Sequence, residues 1–229
     1  MTYRLLDLYS CAGGAGTGYA RAGFDVVGVD IDPQPRYPFE HHVSDAIAYA
    51  REHGHEFDAI HASPPCQRYT ALQAVAGNAD DWPDLIGPTR DLLDELGKPY
   101  VIENVQGAPL RRDLTLCGEM FGLGVIRHRY FELGGWITTA PAHVKHRGRV
   151  RGWRHGVYYD GPYVAPYGDG GGKGSVAEWQ EALGIDWTDD KRELAESIPP
   201  AFATFIGLEL IGWLDAAAER IPQSRETDS

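Results

Sequence analysis

Cysteine is scarce: the 229 residues hold only Cys11, Cys66 and Cys117, far apart and odd in number. Such spacing builds neither a disulfide framework nor a zinc site, so no metal is expected and the expected setting is reducing and cytoplasmic. Long apolar runs are missing too, since no stretch reaches the ~18 apolar residues of a membrane span. The opening MTYRLLDLYS is interrupted by Asp7 and does not read as a secretory leader. Positive charge is in deficit. The formal net charge of -12 argues against a protein that coats nucleic acid without selectivity. What positive charge there is gathers in HVKHRGRVRGWRH (143–155), where Lys145, Arg147, Arg149, Arg151 and Arg154 stand with no acid among them. An acidic body with one basic stripe suits a localised anionic partner, and a solvated arginine-rich loop has the same composition.

The first hundred residues alternate two periodicities. RLLDLY (4–9), DVVGVDID (25–32), FDAIHASP (57–64) and KPYVIENV (98–105) are short β-branched or apolar runs, each closed by small, acidic or proline residues. Between them, AGGAGTGYARAGF (12–24) is a glycine-rich turn opening a helix, and DLIGPTRDLLDELG (84–97) has helical apolar spacing ending on Gly97. Strands alternating with helices predict an α/β fold, a doubly wound and mostly parallel sheet. LTLCGEMFGL and RHRYFELGG (127–135) predict two further strands that include an antiparallel pair. Residues 136–176, rich in Gly, Pro, Tyr and Arg, read as an irregular insertion. AEWQEALG (177–184) predicts a short helix. ESIPPAFATFIGLELIGWLDAAAER (196–220) predicts a long one, capped by Ser197 and packed on the sheet. The expected organisation is a catalytic and cofactor-binding domain over 1–135, the insertion over 136–196, a completing helix over 197–220 and a frayed tail over 221–229.

In a doubly wound sheet the loop after the first strand lies where ligands bind. Here it is DLYSCAGGAGTG (7–18), whose glycines let a backbone approach a ligand closely. Asp30 ends the second strand, where a carboxylate can take both ribose hydroxyls, and Asp45 is placed for an adenine amino group. These point to an adenosine-containing cofactor. They do not match the dinucleotide pattern, because Tyr19 stands where the third glycine belongs.

Two strand ends then face one crevice. SPPCQRYT (63–70) delivers Cys66 behind two prolines, and IENV delivers Glu103 and Asn104. A soft nucleophile beside a carboxylic acid, next to an adenosine site, suits covalent catalysis with proton donation. At this point the chain resembles the cytosine-C5 methyltransferases that use S-adenosylmethionine. The resemblance rests on DLYSCAGGAGTGYARAGF, VVGVDID, SPPCQ, IENV and RHRYFE in that order, and spans about residues 4–134. The compact form is most similar to the stand-alone enzymes encoded by phages and prophages.

The resemblance implies a Rossmann-like methyltransferase fold and a set of roles. Cys66 would add to cytosine C6, while Glu103 would contact N3 and the exocyclic amine. Asn104 would hold the cysteine loop, Arg129 would bind the cytosine O2, and Arg127 would support the loop bearing the nucleophile. Tyr9 would stack on adenine. Gly13 and Gly14 would permit close approach to the methionine part, Asp30 would bind the ribose and Asp45 the adenine, with Ser10, Ile31, Ala46 and Pro65 also in the cofactor site. Gln67 and the basic stripe would meet the nucleic acid, and QRYTALQAVAGNADDW (67–82) would close over it. The expected partner is DNA, duplex or single-stranded, bound by a monomer; RNA is the rival substrate, and a non-catalytic binder on the same fold is the rival of another class. Three positions depart from the family: Cys11 replaces a glycine, Val125 replaces a glutamine, and SIPPAF replaces the usual opening of the last helix. Only 64 residues separate Glu132 from Ser197, so a full target-recognition domain is replaced by the short insertion.

Overall fold

Residues 2–70, 79–167 and 174–220 are described by the structure, a computed structural model. The apolar runs form the strands β1 (Arg4–Leu8), β2 (Asp25–Asp30), β3 (Glu40–Val43), β4 (Ala59–Ala62), β5 (Tyr100–Val105), β6 (Leu114–Leu116) and β7 (Arg129–Gly134) of one sheet. Their order is β3-β2-β1-β4-β5-β7-β6. The first five are parallel, and β7 runs antiparallel to both β5 and β6. Strands buried on both faces need apolar side chains throughout, which is why β1, β4 and β5 read as continuous runs. β3 is the exception: EHHV is a partly exposed edge strand that carries little apolar signal.

The helices are α1 (Gly14–Ala22), α2 (Ala46–His53), α3 (Ile86–Leu96), α4 (Val176–Leu183), α5 (Lys191–Glu196) and α6 (Pro200–Arg220). On one face of the sheet, α1 and α6 bury Tyr19, Phe202, Ala203, Ile206 and Leu210 against Leu5, Ala59, Val101 and Phe131. α6 is long and apolar enough, by length and composition, to cross a membrane, contrary to the reading of the runs alone. One face of it is nonetheless built into this core, and Leu208 on another face is exposed. The other side of the sheet packs Leu6, Val27, Ile60, Leu92, Leu93 and Ile102 beneath α2 and α3.

Two expectations about the C-terminal part change. Ser197 does not cap α6. It closes the unpredicted α5, its hydroxyl donating to Glu193 O at 2.7 Å, and the chain then turns into α6 through Pro199 and Pro200. The insertion is also less irregular than its composition implies. It holds a hairpin, β8 (Gly152–Arg154) with β9 (Val157–Tyr159), and a small core in which Trp179, Leu183, Ile185 and Leu194 close over Val125 and Val164. Parts of the predicted closing loop (71–78), the glycine run (168–173) and the tail (221–229) lie outside the described residues.

The turn between β1 and α1 shows why glycine is required there. Gly13 sits at φ 87°, and a Cβ on it would meet Tyr37 and Pro38 at 2.9 Å. A Cβ on Gly14 would lie 2.3 Å from Ile198 O, a backbone atom that cannot step aside. Gly14→Ala is therefore expected to cost about 1–3 kcal/mol by overpacking the α1–α6 junction. A lowered urea midpoint at unchanged slope is the measurement that checks it.

Candidate active site

The carboxyl ends of β1, β2, β4 and β5 surround a cleft of about 590 Å³, at the point where the strand order reverses. Tyr9, Ser10, Gly14, Asp30, Ile31, Asp45, Ala46, Pro65, Cys66, Gln67, Glu103 and Arg129 all line it. Gly13, Asn104 and Arg127 do not line it.

At one end the cleft is shaped by β1, its loop and β2. Asp30 is buried, and its carboxylate takes one backbone donor on each oxygen, Cys11 N at 2.9 Å and Asp32 N at 3.1 Å. This fixes the carboxylate while leaving further lone pairs for hydroxyl donors. Tyr9 (φ 58°) and Cys11 (φ 44°) both hold the left-handed backbone that favours glycine, so the loop keeps the shape a glycine would give it, at a conformational cost. The Tyr9 hydroxyl is anchored to Thr89 Oγ1 at 2.8 Å. Ile31 is 65% exposed at the rim, an apolar surface facing the cleft. Asp45 uses Oδ1 to cap α2 through Ala48 N.

Asp7 also lines the cleft, a residue the sequence reading passed over. It is buried, accepts from Tyr37 Oη at 3.0 Å on Oδ2, and leaves Oδ1 without a partner among the described residues; Ser10 Oγ is likewise unpartnered. Buried polar atoms without partners are costly, so two of them facing one cleft fit a ligand that supplies hydrogen-bond donors or positive charge. Burial raises the Asp7 carboxyl from 3.8 to about 7, with the Tyr37 hydroxyl and the Gly16 amide opposing the shift. A raised native pKa means stability is full below the unfolded value and is lost as pH rises from about 4 to about 7. Asp7→Asn is expected to flatten that slope, read from urea midpoints across the interval.

The other end of the cleft carries the reactive groups. Cys66, half-buried, follows Pro64-Pro65 and opens a single 3₁₀ turn, Gln67–Tyr69. Asn104 donates to Pro64 O at 2.8 Å, tying β5 to the cysteine loop, and its Oδ1 accepts from Val105 N. Burial and the nearby Glu103 charge push the Cys66 thiol up, and Arg129 opposes them. Glu103 is buried, and desolvation raises its carboxyl above the usual range despite Arg129 and a hydrogen bond from Ser63. Arg129 Nε lies 2.9 Å from Glu103 Oε1, close enough for charge pairing but out of line for a hydrogen bond.

Behind Glu103 runs a buried polar chain. Tyr19 Oη meets His61 Nδ1 at 3.0 Å, His61 Nε2 meets Ser63 Oγ at 2.9 Å, and Ser63 is hydrogen-bonded to Glu103. When Glu103 is ionised it only accepts, so in that state Ser63 donates to it, His61 Nε2 donates to Ser63, and Tyr19 donates to Nδ1. Burial holds the His61 pKa down to about 3, so this ring is neutral.

Several residues sit elsewhere than expected. Arg127, at φ 25°, does not hydrogen-bond to the cysteine loop among the described residues. Its guanidinium reaches the carbonyls of Pro166 (2.7 Å), Ala195 (2.8 Å) and Ser197, clamping the insertion and the α5–α6 junction. Burial lowers its pKa to about 9. The basic stripe is partly spent within the protein: Arg147 pairs with Glu119 at 2.9 Å, Arg151 pairs with Glu178, and Arg149 lies over the Tyr159 ring. Lys145 and Arg154 are exposed. Tyr163 is fully buried, its hydroxyl donating to Glu119, whereas Trp153 and Tyr158 pack edge-to-face on the exposed hairpin. Missed altogether was the wall given by Asp190, Glu193 and Glu196, at the cap and along a six-residue helix too short and charged to show apolar periodicity. Cys117, set aside on cysteine spacing, meets three histidines outside the cleft.

No family model matches the chain, and no curated protein matches it. Solved structures do. The S. pombe Dnmt2 methyltransferase superposes with a TM-score of 0.65 at 17% identity, covering 92% of this chain and 99% of that one. The chain has the methyltransferase fold. The Entamoeba histolytica methyltransferase EhMeth follows at TM-score 0.64 and 13% identity, over 95% and 99% of the two chains. A protein described as a DNA modification methyltransferase encoded within an E. coli prophage gives 0.61 and 15%, over 93% and 100%.

Proposed function

We propose that the protein is a cytosine-C5 methyltransferase that acts on DNA with S-adenosylmethionine as donor, in a cytoplasmic setting. The observation that carries the reading is the grouping of Cys66, Glu103 and Arg129 at one end of a cleft whose other end fits an adenosine-containing ligand. The prophage-encoded structure, described as a DNA-modifying methyltransferase, supports DNA as the substrate.

The cofactor supplies the electrophilic methyl group when bound. Asp30 would hold its ribose, Ile31 and Tyr9 its adenine with Asp45 at the amino group, and Ser10 and Asp7 its amino-acid end. Cytosine C5 is a poor nucleophile, so the work of this chain is to activate it. Cys66 adds as thiolate to C6, and Glu103, whose burial favours its acid form, donates to N3 as negative charge builds on the ring. Arg129, held beside Glu103, is placed for the cytosine O2. With the methyl group on C5, the C5 proton would leave to solvent, the C6–S bond would break to return Cys66 as thiolate, and N3 would give its proton back to Glu103. A duplex substrate would need its cytosine flipped out at a few kcal/mol, with Lys145, Arg154 and the Trp153–Tyr158 pair offering charge and stacking on the insertion.

A mixed-sequence DNA pool carrying 5-fluorocytosine, single- and double-stranded, tests this with S-adenosylmethionine present. Fluorine cannot leave as a proton does, so an active enzyme stays covalently attached and intact mass shows the adduct on Cys66. Capture by RNA alone would move the substrate from DNA to RNA; capture by neither would overturn the reading.

A further inference from the structure

A second group of reactive side chains gathers outside the cleft. Cys117 precedes the 3₁₀ turn Gly118–Phe121, His128 stands between the two arginines at the head of β7, and His143 and His146 lie on the first part of the insertion. Their four donor atoms all fall within 4.8 Å of one another. His128 Nε2 and His143 Nε2 are 3.1 Å apart, and Cys117 Sγ and His146 Nε2 are 3.3 Å apart. The His128 and His143 rings are parallel within 8°, and the His146 ring is tilted against both.

Three imidazoles and a thiol that each bring a donor atom within 4.8 Å of the others are grouped as ligands are. Metal–nitrogen bonds of ~2.0–2.1 Å and a metal–sulfur bond of ~2.3 Å place tetrahedral ligand atoms about 3.3–3.6 Å apart. The His128–His143 and Cys117–His146 pairs already lie near that spacing, and the exposed side chain of His143 has room to adjust towards it.

We propose that Cys117, His128, His143 and His146 bind one zinc ion in a closed, structural site. A thiolate with three imidazoles suits zinc, and four protein ligands leave no position open for catalysis. Binding forms the zinc–sulfur bond as the thiol proton leaves to solvent. The hydrogen bond from Cys117 Sγ to Ile126 O is then given up, while the backbone amides of Glu119 and Met120 remain directed at the sulfur. Beside the site, the Glu119 carboxylate holds Arg147 and Tyr163, whose ring packs against His146, so a second layer of contacts already steadies the ligand segment. The placement assigns a task to the metal. It would fasten the start of the insertion to His128, the residue between the Arg127 clamp and the Arg129–Glu103 pair.

The full chain, stripped of metal and kept reduced, is titrated with cobalt(II) and then with competing zinc. One cobalt per chain is expected, with the intense visible bands of tetrahedral coordination and a sulfur-to-cobalt charge-transfer band, all displaced by zinc. His143→Ala removes an exposed ligand without opening the core, and should weaken binding by more than the ~10–100-fold that losing a second-layer partner costs. Cys117→Ser should abolish the charge-transfer band; if that buried substitution does not fold, His143→Ala and His146→Ala carry the test alone. Octahedral cobalt without the sulfur band, no stoichiometric binding, or a spectrum and affinity unchanged in both histidine variants would overturn the site. The readout is independent of methyl transfer and of whether the proposed activity holds.

Discussion

Cys66→Ala is expected to yield a folded protein that transfers no methyl group and captures no fluorinated cytosine. The side chain is half-buried at the mouth of a cleft, not in a packed core, so its loss should cost about 1 kcal/mol of stability. The chemical cost is far larger. A nucleophile that carries the covalent step cannot be replaced by water held in the same place, and losses of at least about 10⁴-fold in turnover follow when such a group is removed. Methyl incorporation from labelled donor measures the first effect, and intact mass measures the second. Retained cofactor binding in the alanine variant, read by calorimetry, would separate lost chemistry from lost structure.

Glu103→Gln is expected to lower turnover by about 10²–10⁴-fold, the range general acid catalysis supplies, equivalent to about 2.7–5.4 kcal/mol of barrier. Glutamine keeps the shape and can still face N3, but it has no proton to give. The pH profile carries the finer test. Burial raises the Glu103 carboxyl, so its acid form persists above the usual carboxylate range, and the rate should fall as pH rises through that raised value. The same burial raises the Cys66 thiol, whose addition is favoured by higher pH. The two groups therefore set opposite limbs of one curve, and the pair, not either residue, owns the apparent values. Glutamine at 103 should erase the limb that falls with pH and leave the rising one. A profile unchanged in shape would remove Glu103 from the acid role.

How much of this could be read beforehand depends on where each residue's partners lie. Buried parallel strands must be apolar on both faces, so β2, β4 and β5 announced themselves, and with them the positions of Asp30, Cys66 and Glu103 at or just beyond their ends. β3 and α5 did not. A half-exposed edge strand of EHHV and a six-residue helix of KRELAE are specified by their neighbours more than by their own pattern. The arginines misled for a related reason: charge composition shows that Arg147 and Arg151 exist, but not that the fold brings Glu119 and Glu178 to meet them. Arg127 was expected to support the cysteine loop, and its carbonyl partners instead lie 39 to 70 positions along the chain, in the insertion and at the α5–α6 junction. The histidines escaped notice because cysteine was counted alone, and only the return of the insertion across β7 gathers His128, His143 and His146 around Cys117.

The Tyr19–His61–Ser63–Glu103 chain gives the buried histidine a use as an indicator. Ser63 has a single hydrogen, and an ionised Glu103 takes it, which forces the His61 hydrogen onto Nε2. When Glu103 gains a proton it can give that hydrogen to Ser63, Ser63 turns to donate to Nε2, and the imidazole hydrogen passes to Nδ1 to face the Tyr19 oxygen. The ring exchanges tautomers without changing charge. Nitrogen NMR distinguishes the two tautomers directly, so His61 reports the state of the carboxyl from two hydrogen bonds behind it, inside a sheet that keeps solvent away from the signal.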